Sequence, residues 1–312
     1  MSIIAESPKY LQVFSDGVVK RFAPPIVDAS SELTYGFRSK DVIIDQSKPI
    51  SGRIFLPDTK DSTAQLPVLV YFHGGGFCIG STTWCGYHHF LGDLSVECRC
   101  IVLSVDYRLA PENKLPIAYE DCFASLKWLS MKSNSDPWLK SADLSRVFLS
   151  GDSAGGNITH HVGVRALQDN ECCVKILGLI PVHPYFGSEK RTEIEMAEGE
   201  GEGAEEEVKS NDMFWRLSLP EGSNRDHSAC NFENLELSEA EWSKFPKVVV
   251  YVAGLDFLKE RGVMYADYLK NKGVEVELIE AENEKHVYHV FLPEAESTRL
   301  LQRQMSAFIN QP

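Results

Sequence analysis

Six short runs along the chain are apolar at most positions and rich in β-branched residues: 50–57 (ISGRIFLP), 67–73 (PVLVYFH), 100–106 (CIVLSVD), 146–151 (RVFLSG), 247–254 (KVVVYVAG) and 274–280 (VEVELIE). Between several of them, at 118–131, 157–168, 259–273 and 297–309, apolar residues return every three or four positions. The first pattern predicts strands buried on both faces and the second predicts helices. Their alternation predicts an α/β fold, a mostly parallel sheet flanked by helices. Sheets of this kind bind ligands beyond the C-terminal ends of their strands.

Two stretches break the rhythm. Residues 1 to about 40 and 188–245 are polar and interrupted by Gly and Pro, and 189–209 (EKRTEIEMAEGEGEGAEEEVK) concentrates acidic residues among glycines. Such a segment buries too little apolar surface to order itself, which predicts a mobile insertion. Aromatic residues return in 211–220 (NDMFWRLSLP), as a helix folding over the sheet would need. The expected organisation is one domain over 1–312, with a cap built from about 1–40 and about 188–245.

Composition narrows the function classes. Hydrophobic residues make up 43% of the 312 positions, enough for a real core. The formal net charge of -14 opposes nucleic acid and anionic membrane surfaces as partners. The first ten residues lack the apolar core of a secretion signal, and no apolar run is long enough to cross a bilayer. Of the eight cysteines, only Cys98/Cys100 and Cys172/Cys173 are close together, without zinc or redox spacing. Free thiols in a reducing cytoplasm are the expectation.

The candidate chemistry lies where predicted strands end. Gly151-Asp152-Ser153-Ala154-Gly155 fits G-x-S-x-G directly between a strand and a helix. In that context the serine is held on a strained turn with its hydroxyl exposed, beside the Ala154 amide. Upstream, the strand 67–73 runs into Gly74, Gly75 and Gly76, whose amides carry no side chains to shield them and can point at a developing oxyanion. A phosphate-binding loop would need a lysine after the last glycine, where Phe77 stands.

A serine needs a base, and the base an orienting acid. Asp256 follows the strand 247–254 closely, where it either orients the base or caps the helix beginning near 259. His286 and His289 both follow the next strand, and the loop position of His286 favours it as the base. His160 and His161 read as packing or surface residues, and His88/His89 lack a metal-like carboxylate partner.

With HGGGF (73–77), DYRLAPEN (106–113), LPIAYEDC (115–122), GDSAGG (151–156) and VHPYFGSEKR (182–191) in order, the chain closely resembles plant carboxylesterases of the hormone-sensitive-lipase-like branch of the α/β hydrolases. The resemblance covers nearly the whole chain. It implies an eight-stranded sheet with a helical cap, a triad of Ser153, Asp256 and His286, and an oxyanion hole from Gly74, Gly75, Gly76 and Ala154. It also implies hydrolysis of a small to medium ester, such as one of a plant specialised metabolite, with no cofactor and no metal. Asp and His stand about 30 positions apart in this family, as 256 and 286 do here. Two departures are Lys259, where relatives commonly carry an acidic residue, and the acidic insertion. Gibberellin receptors look similar but have lost the histidine. Dehydratases acting on 2-hydroxyisoflavanones, cyclases and decarboxylating esterases are the alternative outcomes for this site.

Overall fold

The computed structural model describes residues 2–59, 65–169, 174–196 and 204–311. In chain order the elements are β1 (Ile3–Ser7), β2 (Leu11–Phe14), β3 (Val19–Arg21), β4 (Phe37–Asp45), β5 (Ile50–Pro57), β6 (Leu66–Phe72), α1 (Cys85–Cys98), β7 (Ile101–Asp106), α2 (Ile117–Lys132), β8 (Ala142–Asp152), α3 (Ala154–Gln168), β9 (Ile176–Val182), α4 (Glu193–Met196), α5 (Ala204–Ser218), α6 (Glu239–Trp242), β10 (Lys247–Ala253), α7 (Lys259–Asn271), β11 (Val276–Ala281), α8 (Tyr288–Phe291) and α9 (Glu296–Ile309). Among the described residues, β4–β11 form one eight-stranded sheet in the order β11-β10-β9-β8-β6-β7-β5-β4. Pairing is parallel from β11 to β7, whereas β5 runs antiparallel to both of its neighbours.

The unbroken apolar character of the central strands follows from helices on both faces. In β6 every residue is buried. Val68, Val70 and Phe72 pack into the layer holding Leu126, Ile158 and Leu269 of α2, α3 and α7. The alternate Leu69 and Tyr71 pack against Leu91 and Leu94 of α1 and Leu301 and Met305 of α9. A strand with period two thereby serves two apolar layers, so no position is left for a polar residue.

Three features differ from the pattern-based expectation. Strand β9 was hidden because Gly178 and Pro181 interrupt an otherwise apolar run. The stretch 1 to about 40 reaches into the sheet, since β4 begins at Phe37 and pairs with β5 from Phe37↔Pro57 onward. Ahead of it, β1–β3 form a separate small antiparallel sheet. Finally, 189–209 is not uniformly without structure: it contains α4 and the start of α5, and residues 197–203 of the expected mobile insertion lie outside the described residues. A buried ion pair helps to order α4, with Arg261 donating to Glu195 at 2.9 and 2.7 Å. Composition alone does not reveal a partner 66 positions away.

The cysteines behave as expected where they are described: Cys78, Cys85, Cys98, Cys100, Cys122 and Cys230 are unbridged, and Cys172/Cys173 lie outside the described residues. No helix among the described residues is long and apolar enough to cross a membrane.

Burial also sets the response to acid. His160, His183 and His289 are buried, and burial holds each well below the usual imidazole range, His183 at about 3. The unfolded chain takes protons on these rings first, below pH of about 6.5, while the folded chain does not. Their contribution is therefore present above that pH and lost as the pH falls toward the folded values, at about 1.4 kcal/mol per pH unit for each ring. Asp152, whose carboxyl burial pushes up, opposes them with one proton. We expect the melting temperature to fall by about 4–6 °C between pH 7.5 and 5.5; an unchanged or higher value at pH 5.5 would contradict this.

Candidate active site

The turn from β8 into α3 packs more tightly than any side chain would allow. A Cβ on Gly155 would stand 1.9 Å from the Phe72 carbonyl oxygen, and one on Gly151 would stand 2.4 Å from the same atom. With both glycines in place, α3 starts directly against β6. Ser153 between them is forced to φ +52°, ψ -118°, a conformation that costs energy for any residue with a Cβ and persists only where its surroundings hold it. The Ser153 N–H donates to the Val182 carbonyl at the end of β9 at 2.9 Å, and the Ser153 carbonyl accepts from Tyr185 at 2.9 Å.

Ser153, His286 and Asp256 meet in a row. The Asp256 carboxylate can only accept, so the 2.7 Å contact is donated by His286 Nδ1–H. In the neutral ring Nε2 is then the acceptor, taking the Ser153 hydroxyl at 3.0 Å. Asp256 is buried, while the His286 side chain keeps about a quarter of its surface exposed. Burial alone would raise the Asp256 carboxyl, but the electrostatic pull and hydrogen bond of His286, with the Leu258 amide, outweigh it and hold the group below the usual carboxylate range. Asp256 does not cap α7: its Oδ1 accepts the N–H of Leu258, the residue just before the helix, at 2.9 Å, while Oδ2 serves His286. Lys259, the departure from the family pattern, turns away to Glu280 at 2.6 Å.

The rival histidines lie elsewhere. His289 is fully buried against Phe90, with ring centroids 4.6 Å apart. His160 faces the Tyr265 hydroxyl at 3.0 Å and His161 stacks on Tyr119. His88 sits 3.0 Å from Arg53, which is itself bound to Asp41.

The glycine loop differs from expectation at one position. The Gly74 N–H donates to the Tyr87 hydroxyl at 2.8 Å, and that hydroxyl donates in turn to Asp152 at 2.9 Å. Gly74 is thus engaged in holding the loop. Gly75 (φ +107°) and Gly76 (φ +57°) line the cavity with Ser153, and Ala154 opens α3. A Cβ on Gly75 would stand 2.3 Å from the Ile79 carbonyl oxygen, and one on Gly76 would stand 2.6 Å from the Phe214 ring. Tyr87 and Asp152 escaped the sequence reading: Asp152 lies inside the G-x-S-x-G motif as its variable residue, and nothing in the letters links it to a tyrosine 65 positions earlier.

Above these groups opens a cavity of about 330 Å³ walled by Tyr10, Ile79, Trp84, Phe214, Phe257 and Phe291. No lysine or arginine lines it among the described residues. Asn211 also lines it, 3% exposed, with both side-chain amide atoms buried and lacking a hydrogen-bond partner among the described residues. Donor atoms of His183, Asp256 and His286 lie within 4.8 Å of one another, near enough to hold a metal ion. They are spent on hydrogen bonds to each other, to Ser153 and to the Val287 amide instead.

Residues 69–290 match the protein family described by the alpha/beta hydrolase fold. The chain belongs to the α/β hydrolases. Within that family it is 41% identical over 268 residues to "Probable carboxylesterase 6" of Arabidopsis thaliana, covering 85% of this chain and 79% of the relative. It is 33% identical over 324 residues to a 2-hydroxyisoflavanone dehydratase of Glycyrrhiza echinata, covering 97% and 95%. Among solved structures, a hyperthermophilic esterase from Pyrobaculum calidifontis superposes with a TM-score of 0.71 at 28% identity, covering 87% of this chain and 82% of that one. The likeness to esterases therefore extends from the sequence to the fold.

Replacing Tyr87 by Phe keeps the ring but leaves the Gly74 N–H and an Asp152 oxygen buried without this partner. Each such loss costs about 1–3 kcal/mol. Urea unfolding of Tyr87→Phe should show a loss of about 2 kcal/mol or more; a change within about 0.5 kcal/mol, the range of neutral surface substitutions, would contradict the role given to this hydroxyl.

Proposed function

We propose that this α/β hydrolase is a serine carboxylesterase acting on uncharged esters of modest size through an acyl-enzyme on Ser153. The observation that carries the reading is the hydrogen-bonded row Ser153–His286–Asp256 opening onto an apolar cavity. His286 Nε2 takes the hydroxyl proton as Ser153 Oγ attacks the ester carbonyl, and Asp256 stabilises the imidazolium that forms. The carbonyl oxygen, now negative, receives main-chain N–H groups from Gly75, Gly76 and Ala154, donors that need no reorganisation during the reaction. The alcohol departs with the proton held on His286, and a water deprotonated by the same nitrogen releases the acid.

The aromatic lining and the lack of a cationic side chain among the described residues of the cavity wall support a neutral, apolar or aromatic ester over a carboxylate- or phosphate-bearing one. The idle amide of Asn211 supports one polar contact away from the reacting carbonyl, with a hydroxyl or carbonyl on the substrate. Esters of plant specialised metabolites fit both features. We read β1–β3 and the segment around α4–α6 as the two parts of a cap, supported by Tyr10 from one and Phe214 from the other in the cavity wall. Arg21 ties the first part down: its Nε donates to the Cys78 carbonyl at 2.6 Å and its Nη2 to the Ala110 carbonyl at 2.8 Å.

A second reading is favoured by the dehydratase relative. A hydroxyl beside a neutral imidazole can also promote loss of water, with His286 removing a proton and no acyl-enzyme formed. Kinetics separate the two. Ser153→Ala should lower hydrolysis of p-nitrophenyl butyrate by up to about 10⁶-fold with the fold retained. Wild-type turnover in the alanine variant would refute the nucleophile, and elimination that survives in it would favour the second reading.

A further inference from the structure

One buried histidine next to the proposed machinery takes no part in the reaction as written. His183 immediately follows β9, is 2% exposed, and has a left-handed backbone at φ +48°. Its main-chain N–H donates to the Tyr251 carbonyl of β10 at 2.8 Å. Its side-chain Nδ1 lies 2.9 Å from the Val287 main-chain nitrogen. An amide N–H can only donate, so Nδ1 is the acceptor and the proton of the neutral ring sits on Nε2.

Val287 is the residue directly after His286, and it is also left-handed, at φ +47°, ψ +35°. That conformation is an outlier for a β-branched side chain and lasts only where the surroundings hold it. The His183 ring supplies that hold, from among His286, Tyr288 and His289, whose centroids lie 5.9, 5.6 and 5.8 Å away. One residue earlier, the Val182 carbonyl accepts the Ser153 N–H. The end of β9 therefore fixes the nucleophile's backbone through Val182 and the base's backbone through His183.

We propose that His183 is a positioning residue: as a side-chain acceptor for the Val287 amide it locks the left-handed turn after His286 and sets that imidazole between Ser153 and Asp256. The inference rests on the esterase reading, in which His286 is the base. Burial keeps the ring neutral, so the acceptor stays available throughout the neutral range. Placement matters here because a displacement of about 1 Å at a reacting group can cost on the order of 10²-fold in rate.

The side-chain amides of Asn and Gln distinguish the acceptor from mere bulk. Asn places its Oδ1 where His183 carries Nδ1, whereas Gln places its polar atoms near the Nε2 position. For p-nitrophenyl butyrate, His183→Leu should lower kcat about 100-fold with KM changed less than about 3-fold, the split expected when only orientation is lost. His183→Asn should recover kcat to within about 10-fold of wild type, and His183→Gln should remain near the leucine variant. If the leucine variant does not fold, the order of Asn above Gln carries the test. Equal kcat for Asn and Gln, Gln above Asn, or a leucine variant at wild-type kcat would each overturn the inference while Ser153-dependent turnover leaves the esterase reading intact. Absence of Ser153-dependent turnover in the wild type would sink both.

Discussion

The 3.0 Å hydrogen bond from the Ser153 hydroxyl to His286 Nε2 is the contact on which the proposed esterase chemistry turns. It joins groups 133 positions apart, so neither can be placed by local structure alone. Parallel order in the sheet makes the meeting possible: β8 ends at Asp152, β10 ends at Ala253 and β11 ends at Ala281, all on the same rim. Ser153, Asp256 and His286 each follow one of these ends within a few residues. The cost of holding a serine and a valine in left-handed backbone is met by bonds from the strand lying between β8 and β10, which receives the Ser153 amide through Val182 and the Val287 amide through His183.

Much of this was legible in the sequence because its cause is local. The continuous apolar runs of β6, β7, β8 and β10 can arise only where both faces are covered, and the glycines around Ser153 announce a strand that turns sharply into a helix. The loop position of His286, against His289 deeper in the next segment, is the local signal that favours it as the base. What escaped depends on partners distant in sequence. Strand β4 carries Arg38, Lys40 and Asp41 because it is an edge, so its alternation is diluted by charge. Helix α4 looks like part of an acidic coil until Arg261 is brought to Glu195. The Tyr87–Gly74 bond, which withdraws one of four expected oxyanion donors, comes from a helix that the hydrophobic pattern did not reveal at all.

The proposed reacting groups and the cavity wall come from different parts of the chain. The proposed reacting groups stand on the rim of a sheet whose central strand β6 is buried along its whole length, whereas Tyr10 and Phe214 reach the cavity from segments outside that sheet. Changes in those segments alter the shape of the cavity without touching the hydrogen bonds among Ser153, His286 and Asp256. The carboxylesterase and the dehydratase among the relatives are consistent with such a partition, since similarity to both extends over most of the chain.

The most direct test of the central claim is covalent capture of the activated serine. Treatment with diisopropyl fluorophosphate, followed by digestion and peptide mass spectrometry, should give one adduct, on the peptide carrying Ser153, because only an oxygen whose proton is drawn away by a neighbouring base attacks phosphorus at a useful rate. The adduct should be lost in Ser153→Ala and form far more slowly in His286→Gln. Failure to label the wild-type protein, or labelling of Ser153 at the same rate without the imidazole, would contradict the account.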